Sequence, residues 1–533
     1  MKILIRGEKV YDGTGSPPQR TGILIENDLI VDMGPNLIGN FNDSDTLIIE
    51  TKGQIVCPGF IDIHRHADIA VFTSQNFGKT EILQGITTVV CGNCGISPVP
   101  GNHLLCDEYF RYMEPVMGPV PQGLPLENYH EYRKGLETLS LPVNFGFLAG
   151  AGAIKTAVKG FSALPFSGDE MNRVKSHIKE ALDSGALGLS FGIMYRPECF
   201  SSADELGEMA KTAAGTVLCV HIRGEGDSLV DSVDEVIGIA QNAGVAANIS
   251  HFKATGIRNW HSLIYRAIEK IEVARNSGLE ITADFYPYDG GSTTIMSLLP
   301  PSVMEDTTPA LCAKLATEQG RDLLRREINK VHPLWDNMAL SVGWDRIVVS
   351  SVSLPSHNAY CGRSIQAIAK EEGFSDPADL LADLVVSEEG RAGIITFSMD
   401  QKDIDVIARL PWTCLISDSL YSRTNNPHPR LNGAFPKFLR EYIRERRIFT
   451  MEEAVKKMTS MPAGRMGLKN RGKILPGCAA DILIFDPDKF TDNAGYSNST
   501  ALATGMGTVI INGKIVYNEG KLTGSAGNVI QRN

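Results

Sequence analysis

Ten cysteines in 533 residues are too few to staple a fold, so the chain is no disulfide scaffold, and a special thiol here is better suited to metal than to a bridge. Basic residues are in deficit as well. With 51 Lys and Arg against 62 Asp and Glu the formal charge is −11, and no basic stripe is available to track a phosphate backbone, which argues against a nucleic-acid partner. No run of about 18 apolar residues occurs, so no segment reads as a membrane span. Charge enters at Lys2, Arg6, Glu8 and Lys9, too early for the apolar part of a secretory signal, and the expected address is the cytoplasm. Internal repeats and low-complexity tracts are lacking, and no feature reports an oligomeric state. What remains is ordinary globular composition, 43% hydrophobic and 21% charged, in a length that suits one large domain with a smaller one.

The first fifty-odd residues read as short strands between turns: Lys2 to Arg6, Gly22 to Glu26, Ile30 to Met33 and Thr46 to Glu50. The last sixty look alike, with Ala480 to Phe485, then a hairpin from Thr508 to Tyr517 about the turn Asn512-Gly513. Residues 1–57 and 470–533 are therefore expected to form a small antiparallel β domain from both termini. Between them, eight buried-strand candidates alternate with helical stretches: Val56 to Ile63, Thr87 to Cys91, Val143 to Ala149, Ala186 to Phe191, Val217 to Ile222, Ala246 to His251, Glu280 to Phe285 and Thr413 to Ser417. Alternating strands and helices imply parallel strands joined by crossovers, and eight units closing on themselves make a (β/α)8 barrel over 58–469; an open doubly wound sheet is the alternative. The stretch 292–411 is too long for one crossover and contains Pro300-Pro301, so it reads as an inserted subdomain or lid.

The sharpest chemical feature is Pro58-Gly59-Phe60-Ile61-Asp62-Ile63-His64-Arg65-His66-Ala67-Asp68, an apolar strand ending in two histidines two positions apart. Residues i and i+2 of a strand share a face, so both imidazoles can aim into a barrel mouth. Alone, that spacing is equally a solvent-exposed pair. Further strand ends add to it: Cys94 in Gly92-Asn93-Cys94-Gly95, His221 after Val220, His251 after Ser250, and Asp418 after Leu415-Ile416-Ser417. Each of these histidines taken singly is more often a hydrogen-bonded core or surface residue. Four of only eleven, however, fall at the carboxyl ends of expected strands, the face where barrels assemble active sites.

With these positions in hand the chain resembles the amidohydrolase superfamily and, within it, the N-acyl-D-amino-acid deacylases or D-aminoacylases, over nearly its whole length. The segments that carry the resemblance are Pro58 to Asp68, Gln84 to Ser97 with its Gly-Asn-Cys-Gly, His221-Ile222-Arg223 with Glu225-Gly226, and Ser250-His251 with Lys253. Asp284, Tyr286-Pro287-Tyr288 with Ser292, Ser417-Asp418, His428-Pro429-Arg430 and Lys457-Met458-Thr459 continue it.

The resemblance implies a distorted (β/α)8 TIM-like barrel with a small β-sandwich domain, acting as a metal-dependent hydrolase of linear amides on small N-acyl-D-amino acids. It implies one tight Zn2+ held by Cys94, His221 and His251, with His64 and His66 at a second, weaker position that shares Cys94. Asp418 would carry the proton, Lys253 and Arg430 would meet the substrate α-carboxylate, and Tyr286 and Ser292 would add hydrogen bonds. Thiolate and imidazole ligands suit zinc and not calcium or magnesium.

Two places depart from that pattern. Gly150-Ala151-Gly152 stands where relatives often carry Gly-His, and Met194-Tyr195-Arg196-Pro197-Glu198 replaces an apolar segment. Arg196 either meets an acidic substrate side chain or lies on the surface. The competing readings are a cyclic-amide hydrolase of the hydantoinase or dihydropyrimidinase kind, for which no lysine is found in the Ala186 to Phe191 strand, and a non-catalytic binding protein on the same fold.

Overall fold

The structure is a computed structural model that describes residues 2–39, 44–305, 307–332, 335–421 and 426–532. Its central strands are, in chain order, β1 (Phe60–Asp62), β2 (Ile86–Cys91), β3 (Asn144–Phe147, resuming at Ala149–Gly150), β4 (Gly188–Gly192), β5 (Val217–His221), β6 (Ala246–Ile249), β7 (Ile281–Phe285) and β8 (Thr413–Leu415). Each pairs in parallel with its neighbour in that order, save at the break within β3, where Leu148 divides two ladders. Parallel strands buried on both faces need continuous apolar runs, which is how Ile-Thr-Thr-Val-Val-Cys and Val-Leu-Cys-Val-His read. Helices such as Gly168–Asp183, Leu229–Ala243 and Leu263–Asn276 make the crossovers and bury one stripe each, for example Val174, Ile178 and Ala181.

The ring closes between its first and last strands just beyond their ends. Ser419–Leu420 pairs in parallel with Arg65–His66, the Ser417 N–H donates to Asp62 Oδ1 at 3.0 Å, and the Asp418 N–H donates to the His64 carbonyl at 2.9 Å. Arg65 locks this seam. Pointing away from the two histidines that flank it, its guanidinium is fully buried against Asp62 (3.2 Å), Glu81 (2.7 Å), Ser417 Oγ (3.1 Å) and the Tyr421 hydroxyl (3.0 Å). Even beside that cation, burial pushes the Asp62 carboxyl up. Arg65→Met leaves two buried carboxylates without their cation, and we expect it to lower the unfolding free energy by about 3–5 kcal/mol in a denaturant titration; a loss under about 1 kcal/mol would show that the seam does not depend on it.

The Val56 to Ile63 strand expected from the sequence is two strands. Ile55–Pro58 belongs to a nine-stranded sheet, pairing with Lys2–Val10 and Ile482–Phe485, and only β1 enters the barrel. The break is Gly59, where a side chain would run into Thr87. That outer sheet is mixed rather than antiparallel, because Lys2–Val10 runs parallel to Thr46–Glu50 and to Ile55–Pro58. Its alternation is sorted by face: Ile3, Ile5, Ile23, Val56, Ile482 and Ile484 bury in a cluster of their own, while Ile55, Cys57, Leu483 and Phe485 join the main core.

The stretch after β7 is built around an antiparallel three-stranded sheet, Gly291–Thr294, Ile347–Ser351 and Gly393–Thr396, with helices Thr308–Leu315, Glu318–Glu327, Ile365–Glu372 and Pro377–Ser387. It supplies Ser292, Thr293, Trp335, Asp336, Met338 and Thr396 to the wall of the pocket at the barrel mouth. Among the described residues no helix is long and apolar enough to cross a membrane.

Candidate active site

Cys94 follows β2 in a loop fixed by its neighbours. Asn93 Nδ2 donates to the Ile63 and Val90 carbonyls at 3.2 and 3.1 Å, and the Gly95 N–H donates to Ser190 Oγ of β4 at 3.1 Å. Gly92 and Gly95 have φ of +75° and +69°, and a side chain on either would meet the Leu148 carbonyl or the Glu198 carboxyl, so neither position admits another residue. Cys94 itself takes φ +56°, His251 +37° and Asp418 +50°. Left-handed backbone at residues other than glycine costs about 1–3 kcal/mol each and gathers where a side chain has to be aimed. Here it turns three strand ends inward. His251 is held in that turn by Asp284 of β7, whose Oδ1 accepts the His251 N–H at 2.5 Å while Oδ2 accepts from Asn248 at 2.6 Å. Burial raises the Asp284 carboxyl to about 7, with those donors opposing it.

The side chains converge. Cys94 Sγ lies 3.2 Å from His64 Nε2 and 3.5 Å from His251 Nε2, and the rings of His64 and His66 are 5.3 Å apart, those of His64 and His251 5.0 Å, and those of His221 and His251 4.4 Å. Asp418 Oδ1 stands 3.4 Å from His64 Nε2 and 3.6 Å from His66 Nε2. His64 lies between short strands rather than within one, yet its ring and that of His66 reach the same carboxylate. All six residues are buried.

The donor set fits a divalent ion. A sulfur about 2.3 Å and a nitrogen about 2.0 Å from one tetrahedral zinc are about 3.5 Å apart, close to the separations about Cys94. Three overlapping groups have ligand atoms within 4.8 Å of one another: His64, Cys94 and His251; His64, His66 and Asp418; and His221, Glu225 and His251. Burial drives the pKa of His64, His221 and His251 well below the usual imidazole value, so they are neutral and able to ligate, and it pushes the Cys94 thiol well up. Burial would also raise Asp418, but Arg430 at 2.8 Å from Oδ2, with His64 and His66, outweighs it and holds the carboxylate well below its ordinary range.

The residues expected to meet substrate line the same pocket: Lys253, Tyr286, Ser292 and Arg430. Both cations already have partners. Arg430 pairs with Asp418, donates to the Ser292 carbonyl at 3.3 Å and lies 4.7 Å over the Tyr286 ring; Lys253 is 2.5 Å from Glu225 and also donates to the His251 carbonyl at 2.8 Å.

Nothing in the sequence marks Glu225 and Asp284 as site residues, although both fall in segments that carry the resemblance. Glu225 Oε1 lies 3.0 Å and Lys253 Nζ 2.8 Å from His251 Nδ1, so both groups hold the ring from behind while Nε2 faces Cys94. Glu225→Gln is expected to weaken zinc binding about 10–100-fold in a chelator competition; unchanged affinity would show that the carboxylate does not orient His251.

In the Gly150-Ala151-Gly152 segment, Gly152 packs against Glu198, whose Oε2 accepts the Gly192 N–H at 3.0 Å, and burial raises this carboxyl to about 8. On β4 the residue facing the Cys94 loop is Ser190 and not a lysine.

An amidohydrolase family model matches residues 374–517. A D-aminoacylase of Alcaligenes xylosoxydans xylosoxydans is 30% identical over 541 residues, covering 99% of this chain and 97% of its own. The chain belongs to the D-aminoacylase family. An N-acyl-D-glutamate deacylase of the same organism is 29% identical over 100% of this chain and 97% of its own. Among solved structures, the N-acyl-D-glutamate deacylase of Bordetella bronchiseptica, complexed with zinc and a phosphonate inhibitor that mimics the tetrahedral intermediate, superposes with a TM-score of 0.82 at 29% identity, over 99% of this chain and 98% of its own. A D-hydantoinase, at 16% identity and a TM-score of 0.56 over 100% of this chain and 99% of its own, shares the fold alone.

Proposed function

We propose that the chain is a zinc-dependent amide hydrolase that converts N-acyl-D-amino acids to a carboxylate and a free D-amino acid. The observation that carries this reading is the convergence of Cys94 Sγ with His64 Nε2 and His251 Nε2, at 3.2 and 3.5 Å, beside a buried carboxylate and a buried arginine. Cys94, His221 and His251 would hold one zinc tightly, and His64 and His66 would form a weaker second position that shares Cys94. When bound, zinc polarises a carbonyl oxygen and brings the pKa of water from about 15.7 to near 7.

The remaining chemistry belongs to side chains of the chain itself. Hydrolysis takes a proton from water and returns one to the amide nitrogen, because an amine leaves only once protonated. Asp418 would make both transfers; its Oδ1 faces His64 and His66, and its Oδ2 pairs with Arg430. Arg430 offers a planar fork to the α-carboxylate, with Tyr286 beneath it, so substrate binding exchanges Asp418 for the substrate anion as its partner. Lys253 is the second cation at that end and is held in place by Glu225. The segment 292–411 would act as a lid, since it walls the pocket from above the barrel. The D configuration comes from the family. Ten unpaired thiols suit a reducing compartment, the cytoplasm.

A hydrolysis screen tests the assignment. N-acetyl-D-amino acids with apolar, acidic and basic side chains are set beside their L enantiomers, a hydantoin and a dihydropyrimidine. Turnover of the linear D substrates is expected. Turnover confined to the cyclic amides would replace this reading with a hydantoinase-like one.

A further inference from the structure

The loop that follows β5 carries Glu225, whose Oε1 reaches two parts of the site at once, His251 Nδ1 at 3.0 Å and Lys253 Nζ at 2.5 Å. Its backbone is clamped to make that reach. The peptide unit between Glu225 and Gly226 is held at both ends, its carbonyl accepting the Thr255 N–H at 2.7 Å and its N–H donating to Asp336 Oδ2 at 2.6 Å. Thr255 belongs to the loop after β6, close to the ligands themselves. Asp336 does not: it comes from the inserted segment, with Trp335 and Met338 beside it on the pocket wall.

The Asp336 carboxylate is used at both oxygens. While Oδ2 takes the Gly226 N–H, Oδ1 accepts from the Ser228 N–H at 3.1 Å and from Ser228 Oγ at 3.0 Å. Ser228 precedes the helix Leu229–Ala243 and its side chain does not cap it, so the anion at the head of that helix, where the helix dipole favours negative charge, is supplied by the inserted segment. The closeness of the contact accounts for the glycines on either side of Glu225: a side chain on Gly224 would run into Ser228 Oγ and the Asp336 carboxyl, and one on Gly226 would come within 3.2 Å of that carboxyl. Asp336 is itself held by its neighbour. Asn337 is buried, its Nδ2 donating to the Ile328 and Lys330 carbonyls at 2.6 and 3.0 Å and its Oδ1 accepting the Leu340 N–H at 3.0 Å.

We propose that Asp336 is a positioning residue: it fixes Glu225 and, through Glu225, the His251 imidazole and the Lys253 ammonium. The inserted segment thereby completes a site whose proposed metal ligands all lie at barrel strand ends, a role beyond walling the pocket. The inference rests on the amide-hydrolase reading above.

The test is a double-mutant cycle on the full chain, read by chelator competition for zinc and by kcat and KM on an N-acetyl-D-amino acid that the parent hydrolyses. Asp336→Asn keeps the volume, but an amide accepts hydrogen bonds at one end only, so one of the two loop N–H groups loses its partner. Zinc affinity should fall about tenfold. KM should rise at least about threefold with less change in kcat, because Lys253 loses its hold while Asp418 does not. In a Glu225→Gln background the same substitution should change zinc affinity by less than about twofold, since Asp336 acts through Glu225; a merely structural role would cost the same in both backgrounds. Asp336→Ala should follow the same pattern with a larger loss, and the asparagine variant decides the matter if the alanine variant fails to fold. Unchanged zinc affinity in Asp336→Asn, or equal losses with and without Glu225, would overturn the proposal. The zinc measurements need no substrate, so a failure to hydrolyse any N-acyl-D-amino acid would remove the hydrolase reading and is told apart from a failure of Asp336.

Discussion

Cys94→Ala is expected to abolish both zinc binding and hydrolysis while the metal-free protein keeps its stability. Cys94 is the one sulfur among the clustered donors, and it sits 3.2 and 3.5 Å from two imidazole nitrogens at the centre of the group. The buried thiol resists ionisation by itself, because burial favours its neutral form, and a bound divalent cation is what makes a coordinating thiolate stable there. Removing it would delete the soft ligand of the proposed tight position and the one proposed to be shared with the weaker position. Zinc content should fall from about one per chain to a small fraction of that, and turnover to background. Because Cys94 lies in a loop past β2 and not in the barrel ladder, metal-free variant and metal-free parent should differ by no more than about 1 kcal/mol. A variant with full zinc would take Cys94 out of the site.

Asp418→Asn should show the opposite pattern, with zinc retained at the tight position and kcat lowered by about 10²–10⁴-fold. Asparagine is the informative replacement. Asp418 has φ +50°, and asparagine is among the few residues that tolerate the left-handed region, so the backbone that aims the side chain is preserved. What is lost is the ability to take and return a proton, together with the charge facing Arg430. Near-normal turnover with zinc in place would assign the proton transfers to another group.

The strand ends that build the site were legible because parallel barrel strands are short apolar runs, and a polar residue at the end of one stands out: His221, His251 and Asp418 were found that way. Cys94 had an additional signal in its flanking glycines, whose positive φ values allow the loop to turn. The limits of that reading are equally physical. An apolar run does not reveal which sheet it joins, so Ile55–Pro58 and Phe60–Asp62 read as one strand until pairing with Ile482–Phe485 separated them. Mixed pairing of the outer sheet depends on contacts between segments far apart in sequence. Glu225 stands four residues beyond His221 in a loop, with no periodicity to mark it, and its hold on His251 and Lys253 is a long-range fact. The same holds for Arg430 and Asp418, whose ion pair at 2.8 Å joins side chains twelve residues apart. Arg196 stood out in the sequence as charge in an expected apolar segment, but its burial between two aromatic rings could be seen only once the helix carrying Tyr112 was packed beside it.

Central to the account is that one thiolate and several imidazoles share an ion. X-ray absorption at the zinc edge of the loaded, unaltered protein examines that directly. The spectrum should contain one sulfur scatterer at about 2.3 Å together with nitrogen and oxygen scatterers at about 2.0–2.1 Å. A zinc shell of nitrogen and oxygen alone, with no sulfur, would contradict it.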